Sequence, residues 1–163
     1  MSIKYTKTQL TLLVILRVII GWHFLYEGFA KLLNANWTAQ SYLLDSKGFM
    51  AEVFYWMANT PEAIKIVDFL NIWGLILIGF GLILGLLTRP ALIGGIVLLA
   101  FYYLSHPAII GVTYSMPSEG SYLIVNKILI ELAALLVLTA FPTEKIIGLD
   151  RFVTKFLYSK KNN

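Results

Sequence analysis

The stretch Leu10–Leu33, LTLLVILRVIIGWHFLYEGFAKLL, decides how the chain is read. It is apolar and long enough to cross a bilayer, whose ~30 Å hydrocarbon core takes about 20 helical residues. It nevertheless carries Arg17, His23, Glu27 and Lys31. With Arg17 as origin and about 100° per residue, His23 falls at about 240°, Glu27 at about 280° and Lys31 at about 320°. The four share an arc of roughly 120° on one side of the helix. Ionisable groups inside a membrane are costly and normally face protein or a wet cavity. A plainer account is that Arg17 and Lys31 snorkel to opposite interfaces while Glu27 pairs with Lys31 one turn away. That account leaves His23 and the shared face unexplained.

Composition agrees with a membrane chain. Of 163 residues, 58% are hydrophobic and only 13% charged, with a mean hydropathy of +0.76. A soluble domain would carry about a quarter charged residues. The expectation is one integral membrane domain over 1–163. Cysteine is absent, which excludes disulfides, thiolate zinc sites and iron–sulfur ligation within the chain. There is no metal or haem motif, and neither histidine has a ligand partner at helical spacing. The net charge of +4 gathers near helix ends and in the tail, so the partner is the lipid bilayer and not nucleic acid. Residues 1–9 lack an Ala-x-Ala cleavage pattern, so the first helix is expected to be retained.

The pattern predicts an all-α, four-helix transmembrane bundle with spans at 10–33, 66–87, 91–105 and 122–141. The 34–65 connection carries Met50, Phe54 and Met57 at helical spacing, which predicts a short extracytoplasmic interfacial helix between the first two spans. Gly81 and Gly85 form a GxxxG pattern in the second span; it permits close packing inside the bundle or a homo-oligomer contact. The tail 142–163 is basic and expected on the cytoplasmic side, as an anchor to anionic lipid. Eight Lys and Arg lie in the amino terminus, the turn at Arg89 and the tail, against Lys47 and Lys65 in the two long connections. Both termini are therefore expected in the cytoplasm of a bacterial-type inner membrane.

With that orientation, polar residues from four helices share one depth. Glu27 and Lys31 lie in the outer half of helix one, Asp68 and Asn71 of helix two, and Asn126, Lys127 and Glu131 of helix four. Helix three delivers Tyr102, Tyr103 and His106. Two accounts compete: a salt-bridged core with Lys127 and Glu131 paired at i, i+4, or a polar pocket that binds a small ligand and moves protons. In the second, Glu27, His23 and Glu131 are the proton-handling candidates. Lys31, Lys127, His106, Asp68, Asn71, Asn126 and Arg17 are the ligand-binding ones.

Several short motifs resemble the DoxX/DoxD family of four-helix membrane proteins. They are Arg17-Val-Ile-Ile-Gly21, Glu27-Gly28-Phe29-Ala30-Lys31, and Asn36-Trp37-Thr38-Ala39 with Tyr42-Leu43. Trp73-Gly74 with Gly79, and Gly85-Leu86-Leu87-Thr88-Arg89, complete the set. They look closest to the DoxD-like membrane subunit of thiosulfate:quinone oxidoreductase. The resemblance implies a quinone-linked oxidoreductase with a second subunit, thiosulfate approaching Lys31, Lys127 and His106, and quinone entering beside Trp22, Tyr26 and Trp73. A small transporter and a non-catalytic membrane scaffold are the alternatives. The topology is tested first: of single cysteines at Ser46, Ser118 and Ser159 in this cysteine-free chain, only the first two should label from outside intact cells. Labelling at 159 would reverse the orientation.

Overall fold

The first helix starts where a reciprocal cap allows it. Thr6 accepts the Gln9 N–H at 3.2 Å while the Gln9 side chain accepts the Thr6 N–H at 3.0 Å, so two otherwise orphaned donors are satisfied. From there α1 runs over Lys7–Leu32. In the computed structural model, which describes residues 4–115, 123–152 and 155, five more α-helices follow. They are α2 (Gln40–Leu44), α3 (Ala51–Asn59), α4 (Pro61–Leu84), α5 (Thr88–Ser105) and α6 (Lys127–Ala140), with a 3₁₀ turn at Thr143–Lys145. No β-strand occurs among the described residues.

Three helices, α1, α4 and α5, are long and apolar enough to cross a membrane. α4 begins five residues before the expected span, because Pro61 occupies its first turn, where a missing N–H costs nothing. α5 begins three residues early, because Asp150 accepts the N–H groups of Leu87 and Thr88 at 2.8 and 3.0 Å. The fourth expected span is shortened. Asn126 is extended and caps α6 by accepting the Leu129 N–H, so the helix has only 14 residues, about 21 Å at ~1.5 Å per residue. Alone that falls short of ~30 Å of hydrocarbon. The long connection holds two short helices, α2 and α3, where one was expected.

α1 and α4 meet almost backbone to backbone. A Cβ on Gly79 would lie 2.6 Å from the Leu25 nitrogen and 2.8 Å from the Gly21 carbonyl oxygen. A Cβ on Gly28 would lie 2.9 Å from the Ile76 nitrogen. The GxxxG glycines are also used within the chain, Gly81 against Ala91 of α5 and Gly85 against Gly148. Of the four glycines in the second span, only Gly74 has open space beside it, so the GxxxG pair serves packing inside the bundle, the first of the two uses its spacing permits. On the opposite face of α1, Leu12, Ile15, Ile19, Trp22, Tyr26 and Leu33 form an outward apolar stripe, as a lipid-facing helix requires.

At the end of the bundle where α4 turns into α5, the chain after α6 folds back as a strap. Arg17 is 2% exposed and does not snorkel. Its guanidinium donates to Thr143 Oγ1 at 3.0 Å and to the Ile147 carbonyl at 2.8 Å. The Leu149 and Asp150 N–H groups donate to the carbonyls of Leu84 and Gly85. The first part of the expected lipid-bound tail is thus docked on protein; residues 153–154 and 156–163 lie outside the described residues.

Two outcomes follow from this packing. Gly79→Ala should lower the melting temperature in detergent, at about 1–3 kcal/mol for forcing atoms into a filled contact, while Gly74→Ala should be neutral or slightly stabilising. Equal effects at the two positions would contradict the crossing described. Arg17→Lys should also lose stability, about 1–3 kcal/mol, because a shorter chain ending in a single nitrogen replaces the two guanidinium nitrogens that reach Thr143 and Ile147 separately.

Candidate functional site

Because α6 stops early, a cavity opens between it and α1 at the end opposite the strap. Its volume is about 320 Å³. Phe24, Leu75, Leu99 and Ile128 form apolar lining, and Leu82 and Leu135, both 0% exposed, belong to the dry core packed with them. The polar lining comes from the stripe on α1 and from the first turns of α6. His23 Nδ1 lies 2.8 Å from Glu131 Oε1, a link between residues 108 positions apart. Opposite an ionised carboxylate, Nδ1 is the donor. The partner expected for Glu131 from spacing was Lys127, which also lines the cavity.

Lys31 is held from several sides. Its Nζ lies 3.6 Å from Glu27 Oε2 and sits 5.4 Å from the Trp37 ring centroid and 5.7 Å from that of Tyr102. Its side chain is 16% exposed against 46% for Glu27. The ammonium is therefore the enclosed member of the pair and the carboxylate the accessible one. Tyr102 OH donates to Asn71 Oδ1 at 3.0 Å, which leaves the amide nitrogen of Asn71 as a donor on the lining. Tyr42 closes the wall, its hydroxyl donating to the Tyr102 carbonyl at 3.4 Å. Burial raises the Tyr42 phenol well above its usual range, with Tyr102 and Tyr114 acting in the same direction; it remains a protonated donor.

Seven residues named from the sequence, His23, Glu27, Lys31, Asn71, Tyr102, Lys127 and Glu131, meet at this cavity. Others go elsewhere. Arg17 fastens the strap at the opposite end. Asp68 accepts the Ala39 N–H at 2.8 Å and ties down the loop that walls the cavity. Asn126 caps α6. His106 lies behind the wall, stacked on Tyr42. Trp22, Tyr26 and Trp73 are 62%, 64% and 43% exposed and point outward, because a helix that packs through its glycines must turn its large aromatics to lipid. Sequence reasoning missed Trp37, Thr38, Ala39 and Tyr42 as lining. Their only signal was the motif they form; they stand outside the helical periodicity that singled out the others.

The arrangement offers two acid–base groups in hydrogen-bond contact, one enclosed ammonium and several neutral donors, together with an apolar lining. It suits a small ligand bearing oxygen acceptors and a flat or apolar body. Comparison with known proteins returns no match among curated proteins or solved structures. The sequence profile of the DoxX family matches residues 12–107, more than half the chain, from the second turn of α1 to just past α5. Together with its three membrane-length helices, this makes the chain a multi-pass membrane protein belonging to the DoxX family.

Proposed function

We propose that this protein is the membrane subunit of a quinone-linked oxidoreductase of the thiosulfate:quinone type, with its site in the 320 Å³ cavity. The observation that carries this reading is the convergence of His23, Glu27 and Lys31 from α1 with Lys127 and Glu131 from α6 on that one space. In this reading α6 belongs to the fourth span. The α2–α3 segment lies at the outer interface, and both termini face the cytoplasm of a bacterial-type inner membrane. The excess of basic residues at the strap end supports that orientation.

The lining suits a quinone head: the His23–Glu131 pair, Lys31 and the Asn71 amide would serve its oxygens, and Phe24, Leu75, Leu99 and Ile128 its ring. When bound, a quinone supplies two-electron, two-proton redox chemistry. The chain's own part is to orient and to exchange protons. His23 is 48% exposed and Glu131 14%, so the histidine faces the opening and the carboxylate holds its ring. Glu27, the accessible carboxylate beside Lys31, is the second proton carrier. Lys31 keeps its position through Trp37 and Tyr102 and attracts an anion or an oxygen that gains charge. With no cysteine, sulfur chemistry falls to electrostatic binding here and to a second subunit. The dry core around Leu82 and Leu135 opposes a continuous solute path and weighs against a transporter.

The test combines content with mutation. Protein purified in mild detergent should yield bound quinone on extraction and reduce added quinone with thiosulfate once its partner is supplied. Glu27→Gln and Lys31→Met should each lower thermal stability, by about 1–3 kcal/mol for leaving one partner uncompensated. The double variant should recover stability but not bound quinone or turnover, since glutamine cannot exchange a proton and methionine cannot attract charge. A double variant that regains both would make the pair structural and the site wrong.

A further inference from the structure

Behind the cavity wall lies a second polar cluster that the proposed chemistry does not use. Tyr42 lines the cavity, and its ring stacks on His106 with centroids 3.9 Å apart and planes at 25°. Tyr114 packs on the imidazole as well, 4.6 Å away at 36°, so the three rings form a layered stack. Ser105 Oγ lies 3.0 Å from His106 Nδ1. The other nitrogen, Nε2, is buried without a hydrogen-bond partner. It stands 3.9 Å from Asp45 Oδ2, with the two side chains only 11% and 10% exposed. That separation is too long for a hydrogen bond.

The same cluster fastens the loop that follows α5. Asp45 Oδ2 accepts the Ser115 N–H at 2.7 Å, Lys47 Nζ donates to the Thr113 carbonyl, and Tyr114 OH donates to the Pro107 carbonyl at 2.7 Å. Loop and cavity wall are thus joined through one imidazole. We propose that His106 is a proton-operated brace: neutral, it holds Tyr42 in the cavity wall and the 107–115 loop on Asp45; protonated, it releases both and opens the cavity at this side.

Each packed element contributes to the outcome. The segment after α2 presents Asp45 and Lys47, α2 presents Tyr42, the loop presents Tyr114, and α5 presents Ser105 with Tyr102 behind Tyr42. Among the described residues Asp45 alone favours a charged imidazole, and its Oδ2 is already committed to Ser115. Burial lowers the His106 pKa below its ordinary value; Asp45 opposes that shift and Lys47 adds to it. A released His106 would titrate near the ordinary value of about 6.5. The docked state therefore binds fewer protons than the released one. Docking is complete above that ordinary value and weakens as pH falls below it. Only the consequence for ligand access rests on the cavity being the ligand site; the brace does not.

Hydrogen exchange read by mass spectrometry on the full chain in detergent, without added ligand, tests the brace. Between about pH 8 and about pH 5, protection of residues 40–45 and 107–115 should fall, by at most about tenfold per pH unit once intrinsic rates are removed. His106→Phe keeps a ring between the tyrosines and cannot charge, so protection should stay constant. If His106→Phe proves unstable at the higher pH, His106→Gln serves instead. Its exchange should be the same at both pH values, whatever its level. A wild type without pH response, or a variant that keeps the wild-type response, overturns the proposal. Loss of quinone binding would leave this readout untouched, so the two readings fail separately.

Discussion

The approach of α1 to α4 is the constraint on which the rest depends. Three glycines, Gly21, Gly28 and Gly79, let two long helices touch through their backbones. In a bilayer there is little hydrophobic gain from pressing one apolar helix on another, so close packing is what holds them. That contact fixes the rotation of α1 about its axis. Trp22 and Tyr26 are then turned to lipid, and the face with His23, Glu27 and Lys31 is turned toward the space beside α6.

α6 decides whether that space is filled. A helix continuing to residue 122 would bring more side chains past His23 and Glu27. Capped at Asn126, it stops short, and its first two turns bring Lys127 and Glu131 to the gap. Charges that would be prohibitively costly against lipid are held instead by one another and by aromatic rings. At the opposite end the strap does the reverse. Arg17, the one ionisable group of the α1 stripe on that side, is removed from solvent by Thr143 and Ile147, and Asp150 supplies the cap that α5 lacks in its own sequence. One end of the bundle is closed by hydrogen bonds and the other holds a cavity, with the Leu82–Leu135 core between them.

Much of this was legible beforehand. Mean hydropathy, the length of the apolar runs and the alignment of Arg17, His23, Glu27 and Lys31 follow from composition and from 3.6 residues per turn, which are local properties. Seven of the residues picked out by depth and charge do meet at the cavity. The motifs around Trp37 and Arg89 pointed to the family that the matched region identifies. Helix ends were less legible. Pro61 moves one boundary by a local rule, but Asp150 moves another from 62 residues away.

By itself, then, the sequence determined a helical membrane chain with its charges on one face of the first helix, because hydropathy and helical period act over a few turns. Tertiary structure alone decided which partner each charge takes. Glu131 meets His23 across 108 residues in place of its own-helix neighbour, Arg17 serves the strap, and His106 stands behind Tyr42 instead of in the cavity. Those pairings depend on the offset and crossing of helices. Glycine contacts and long-range caps set these, and neither leaves a periodic trace in the residues whose partners they choose.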